Sequence, residues 1–140
     1  MAKFNKILVS LDGSANSTRG LDRAIEIAKS CDAEITGFYV FQLPLAAGVK
    51  YTQKMKDDVQ TKAVKAIGPA MNRVKKAGVK FKYKTGGGNP GSQIVSFAQK
   101  GKFDMIVIGA RGVGGVKEVF LGSTSNHVMH KTKIPVLVVK

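Results

Sequence analysis

Short apolar runs alternate with stretches of helical period along this chain, and that alternation leaves few folds open. KILVSL (6–11), AEITGFYVF (33–41), VKFKYK (79–84), FDMIVI (103–108) and IPVLVVK (134–140) read as strands. After the first, Ser14 or Asn16 stands where a helix cap belongs. Leu21, Ala24, Ile25 and Ala28 then share one face of a helix reaching Ser30. A proline-containing loop leads to a longer helical pattern from Thr52 to Ala77, with Met55, Val59, Ala63, Ile67, Ala70, Met71 and Val74 at helical spacing. Gly68-Pro69 is expected to kink or break that helix, because Pro69 cannot donate to the carbonyl four residues back. Residues 90–100 and the stretch from Ser123 to Lys131 read as further helices. Strand and helix in this order predict an α/β fold, an open five-stranded parallel sheet with right-handed crossovers and helices on both faces. FDMIVI, apolar almost without interruption, suits a central strand. VKFKYK alternates, with Val79, Phe81 and Tyr83 expected on a buried face and Lys80, Lys82 and Lys84 exposed, a pattern that suits a sheet edge.

At 140 residues the chain suits a single domain, 1–140, with one core. Its 44 % hydrophobic and 23 % charged content argues against disorder. Cys31, the only cysteine, has no internal disulfide partner, which points to a reducing, cytoplasmic compartment. Asp12 ends the first apolar run too early for a secretory signal, and no stretch approaches the ~18 apolar residues of a membrane span. The composition therefore excludes a disulfide scaffold and predicts no membrane partner. The formal net charge of +14 favours anionic partners and says nothing about fold.

In a parallel sheet of this kind ligands sit beyond the carboxyl ends of the strands, where the strand order reverses. Asp12 follows the first strand, and GARGVGGVKEVFLGSTS (109–125) follows the fourth, so both belong to that rim. Gly109 and Gly112 leave the strand, and Gly122-Ser123-Thr124-Ser125 opens the next helix. A helix N-terminus offers free backbone N–H groups to an anion, glycine lets the anion approach the main chain, and the hydroxyls can donate to it.

Glycine, two residues, glycine, nine residues, glycine and serine is the spacing at which the sequence resembles the universal stress protein family. The likeness runs through KILVSLDGS, GNPGSQIVSFA, DMIVIGARG, LGSTSNHV and IPVLVV. It implies a Rossmann-like, adenine nucleotide alpha hydrolase-like sheet and, in the ATP-binding type, a nucleotide on this loop. By that resemblance Asp12 contacts the ribose hydroxyls, while Val40 and Ile108 flank the adenine, with main-chain groups near Val40 reading its edge. Gly109, Gly112, Gly122 and Ser123 line the phosphates, with Ser125 the next hydroxyl and Arg111 a phosphate partner. Thr124 stands where many members carry an apolar residue. The ligand implied is ATP, or else ADP, AMP or cyclic AMP, with any Mg2+ or Mn2+ carried by the nucleotide. Family members commonly dimerise through their final strands, which implies a homodimer here.

Other motifs carry less. GGGNPG (86–91) satisfies G-x-G-x-x-G, yet Asp104, at nearly the right separation for a ribose-binding acid, opens its strand and so belongs to the opposite rim. The stretch reads as a flexible turn and helix start. No glycine precedes Lys-Ser or Lys-Thr, so there is no P-loop. His127 and His130 lack the further ligands of a zinc site and read as solvated surface residues. Ser123 lacks a nucleophile elbow. Asp12 and Glu118 are the carboxylates placed near a bound phosphate, which leaves room for slow hydrolysis at most. From Lys50 to Lys84 eleven Lys or Arg stand against Asp57 and Asp58. This reads as a solvated helix face and a protected edge rather than a nucleic-acid surface, since Phe81 and Tyr83 alternate away from the lysines.

By that resemblance the chain is expected to be a stress-response or signalling protein, an adenine-nucleotide-dependent switch acting as a homodimer through an unidentified protein partner. The rival classes are a slow ATPase or self-phosphorylating protein, a cyclic AMP or AMP binder, and a basic adaptor for nucleic acid or an acidic partner. For the first reading, valine at Gly109 or Gly122 is expected to abolish binding and leave the sheet folded.

Overall fold

A computed structural model of the chain describes residues 4–42, 50–112 and 121–140. The elements run β1 (Lys6–Ser10), α1 (Ala15–Cys31), β2 (Glu34–Phe41), α2 (Gln53–Lys76), β3 (Phe81–Gly87), α3 (Pro90–Lys100), β4 (Met105–Gly109), α4 (Ser123–Lys131) and β5 (Val136–Val139). The described strands form one five-stranded sheet in the order β3-β2-β1-β4-β5, with every neighbouring pair parallel. The chain builds outward from β1 to β3, then returns to the other side of β1 for β4 and β5. The order therefore reverses between β1 and β4, and a crevice is expected beyond their carboxyl ends.

Side-chain alternation divides the core between two faces. Ile7, Val9, Ile35 and Val107 pack under α1 and α2 with Leu21, Ile25, Ala70 and Val74. Leu8, Phe38, Ile106 and Ile108 pack under α3 and α4 with Ile94, Ala98 and Val128. Burying each large aliphatic side chain contributes about 1.5–3 kcal/mol, so the two faces together fix the register of the central strands. Phe97 stacks on Phe38 with ring centroids 4.4 Å apart. At the amino rim, Asp104 Oδ2 accepts from the backbone N–H groups of Asn5 and Lys6, both at 2.9 Å, so this acid clamps β1 to β4 far from the crevice.

Four local expectations change. The helix is not broken at Pro69: α2 runs through it from Gln53 to Lys76. Pro69 is on the exposed side, while Ala66, Ile67 and Ala70 around it are buried, so packing holds the segment. Tyr83 is 50 % exposed rather than buried, because the cluster beneath α2 takes in Phe81 and stops short of the next turn-out along this edge strand. Gly86 and Gly87 are strand residues paired with Val40 and Phe41, so the turn begins only at Gly88. A Cβ on Gly86 would stand 2.9 Å from the Phe38 ring, which explains glycine there by packing. His130 is exposed as expected, but His127 is half-buried, its ring against buried Gly91 of α3, where a Cβ would come within 2.8 Å of it.

Candidate functional site

The carboxyl rim holds a cleft of about 790 Å³, a volume in the range of small-ligand sites. Its wall includes all ten positions singled out from the sequence: Asp12, Val40, Ile108, Gly109, Arg111, Gly112, Gly122, Ser123, Thr124 and Ser125. Residues 113–120, with Glu118, lie outside the described part of the chain.

Each wall follows from local chain chemistry. β1 ends at Ser10, and Leu11 N–H still pairs with the Phe38 carbonyl at 2.9 Å before the chain turns through Gly13 at φ +82°. That left-handed conformation suits glycine. The Asp12 carboxylate accepts from Ser14 N–H through Oδ1 at 2.9 Å, and Ser14 Oγ accepts from Ser17 N–H at 3.1 Å. The first turn of α1 is thereby closed by its own side chains.

α4 starts differently. Its N-cap is Gly122, which has no side chain to accept from the first turn, although side chains cap α1, α2 and α3. Gly122 is locked in place from behind: its N–H donates to the Ala110 carbonyl at 2.6 Å, and Ala110 N–H donates to Val139 at 2.7 Å. Ser123 is exposed and Thr124 half-exposed at the cleft. Ser125 is buried, and its hydroxyl donates to the Ala110 carbonyl at 2.9 Å and lies 3.1 Å from the Gly122 carbonyl. Its single proton thus serves the loop, and toward a ligand the oxygen can only accept.

The glycines have distinct reasons. A Cβ on Gly112 would stand 2.6 Å from Asp12 Oδ2, so the loop after β4 lies directly against the acid after β1. A Cβ on Gly109 would stand 2.8 Å from Asn16 Cβ and 2.9 Å from its carbonyl carbon, so this glycine admits the first turn of α1. Valine at Gly109 therefore strikes the fold as well as the rim, contrary to the expectation of an intact sheet.

Sequence reasoning missed Tyr39, Lys62, Lys65, Ser14, Ser17 and Pro90, which also line the cleft. Burial, with the negative charge of Asp12 adding to it, pushes the Tyr39 phenol above its ordinary value, so it stays a neutral hydroxyl. Its apolar flanks concealed it as a core residue, and the lysines were hidden in a run of like residues. The cleft thus combines apolar surface from Val40 and Ile108, a carboxylate, a helix N-terminus without a side-chain cap, and the cations Arg111, Lys62 and Lys65. Such a set can hold an elongated ligand with an apolar end and an anionic one. Among the described residues no group of three or more acidic, cysteine or histidine side chains could hold a metal ion, and no helix is long and apolar enough to cross a membrane.

Comparison with known proteins agrees with this fold. The chain is 31 % identical to Universal stress protein YxiE of Bacillus subtilis over 98 % of its own length and 99 % of the relative's. The universal stress protein UspA from Lactobacillus plantarum superposes with a TM-score of 0.83 at 25 % identity, each chain covered completely. A universal stress protein in complex with cAMP superposes with a TM-score of 0.76 at 27 % identity, over 99 % of both chains. The model of the Universal stress protein family matches residues 3–140, and the chain belongs to that family.

Proposed function

We propose that the chain binds an adenine nucleotide in the carboxyl-rim cleft, with ATP the preferred ligand and any Mg2+ or Mn2+ arriving on it. One observation carries this reading: ten residues scattered from Asp12 to Ser125 meet on one cleft, where Gly122 leaves the first turn of α4 without a side-chain cap. The 27 % identical relative in complex with cAMP supports an adenine ligand. Asp12 holds the ribose, Val40 and Ile108 flank the base, and Gly109, Arg111, Gly112, Gly122, Ser123 and Thr124 surround the phosphates, while Ser125, its proton given to the Ala110 carbonyl, holds the loop behind them. A partner that distinguishes filled from empty protein reads the signal. A second copy pairs along β5, an edge strand whose Val136, Leu137, Val138 and Val139 are all only half-buried. Light scattering on a sizing column gives a dimer at micromolar concentration; a strict monomer rejects that part.

The deciding experiment is calorimetric titration with ATP, ADP, AMP and cyclic AMP, alongside mass spectrometry of small molecules released on denaturing the purified protein. A released adenine nucleotide, or saturable heat with any of the four, is the expected result; neither in both assays removes the proposal.

A second reading gains one observation. Tyr83 is half exposed on the edge strand β3, so one aromatic ring is open to stack on a base, while exposed Lys82 and Lys84 alternate onto the other face of the strand. Its mark is affinity for an oligonucleotide that falls steeply with salt and ignores substitution at Gly112.

A further inference from the structure

The geometry points to Lys62 and Lys65 of α2 as the residues that select among nucleotides by their negative charge. This rests on the nucleotide reading of the cleft and names which nucleotide it favours. The helix runs along one side of the cleft, and Val59, Lys62, Lys65 and Ala66, spaced at three- and four-residue steps, form one stripe that lines it. Ala66 is buried against the sheet, which fixes the rotation of the helix, and both lysines on its outer side are exposed. Neither forms an ion pair with a described residue: on this helix the Asp57 carboxylate accepts from Gln53 and its carbonyl accepts from Thr61.

Their position matters because of what stands in the same cleft. Asp12 contributes negative charge, which opposes any anion, and Arg111 contributes one cation. Two more ammonium groups on long, mobile stems turn the balance clearly positive. Such stems follow a flexible polyphosphate without demanding one geometry, unlike a rigid guanidinium fork. Attraction to them grows with the charge of the ligand, so a triphosphate gains more than a monophosphate, and the singly charged diester of cyclic AMP gains least. The lysines thus act as a charge comb at the side of the cleft, while the backbone of the loop recognises a phosphate whatever the number behind it.

The test is titration of the full-length protein and its Lys62→Gln/Lys65→Gln variant with ATP, cyclic AMP and inorganic tripolyphosphate. Both side chains are exposed, so the variant keeps its thermal midpoint. Affinity for ATP and tripolyphosphate falls roughly three- to tenfold, as expected of partly solvated charge pairs, and cyclic AMP stays within about twofold. The charge-reversed pair Lys62→Glu/Lys65→Glu enlarges the loss for ATP alone among the nucleotides. Unchanged ATP affinity in both variants, or equal losses for ATP and cyclic AMP, overturns the inference. If the wild-type protein binds neither nucleotide, the adenine reading fails, and the tripolyphosphate titrations by themselves then decide for or against the lysines.

Discussion

The first turns of α1 and α4 meet at the same rim and treat their backbone donors in opposite ways. At α1 the chain spends its own polar groups: Asp12 takes Ser14 N–H and Ser14 Oγ takes Ser17 N–H. At α4, Gly122 has nothing to spend, and its own N–H is tied back to Ala110. The same helix-start chemistry therefore yields a closed terminus that positions an acid and an open one that presents amides. A capped helix start satisfies its own donors; an uncapped one leaves its first turn available, which is what the proposed nucleotide site needs.

Substitutions at the rim can break or sharpen that contrast. The largest effect is expected at Gly109→Val, which would push a branched side chain into the backbone of Asn16 and loosen the closed terminus itself. Urea denaturation should show a loss of about 3 kcal/mol, at the upper end for forced overpacking, and wild-type stability would show that α1 and β4 yield freely. Gly112→Ala comes next and acts across the two termini, because its Cβ displaces the carboxylate of Asp12 rather than any backbone. ATP affinity should fall roughly tenfold, about 1.4 kcal/mol, with the denaturation midpoint nearly unchanged. Equal affinity for ATP would separate Asp12 from the ligand. Ser14→Ala removes the cap of α1 and should cost about 1 kcal/mol of stability in the same urea assay. A Ser14→Ala protein as stable as wild type would mean that α1 is no more closed than α4.

The smallest effect concerns pH. Tyr39 keeps its proton in the folded chain above the ordinary value of 10.0, whereas the unfolded chain releases it there. The folded state then holds more protons, so this contribution to stability is complete below pH 10 and declines as pH rises past it. Tyr39→Phe should flatten the alkaline decline slightly in thermal melts followed from pH 8.5 to 11, buffer pH values chosen to straddle the titration. An identical decline in both proteins would detach the phenol from the alkaline behaviour.

Much of this molecule is visible before folding, for physical reasons that differ by region. The strands around Ile7 and Ile106 announce themselves because both faces are buried and the apolar run is unbroken. The cleft residues are visible through glycine spacing, since a Cβ at Gly112 would stand 2.6 Å from Asp12 Oδ2 and could fit only by displacing that carboxylate. The break considered at Pro69 does not occur, because local propensity cannot register the burial of Ala66, Ile67 and Ala70 on either side of it. Tyr83 misleads because alternation names a face without saying whether a helix covers it. Lys62 and Lys65 stay hidden among their like until the rotation of α2 is fixed by packing. Only tertiary structure separates the lysines that line the cleft from those that merely face water.

β1 lies in the middle of the sheet, and its second neighbour, β4, arrives almost a hundred residues later; the contact of Lys6 with Asp104 spans 98 positions. During synthesis, β1, β2 and β3 can associate while one edge of β1 is still bare, and no cleft exists until β4 has left the ribosome. The ligand consequently has nothing to grip on a nascent chain. A ligand of this cleft could shift the balance between finished and unfolded protein but could not guide the chain toward the fold, so on the nucleotide reading proposed above cellular nucleotide level governs how long the protein lasts rather than how fast it forms.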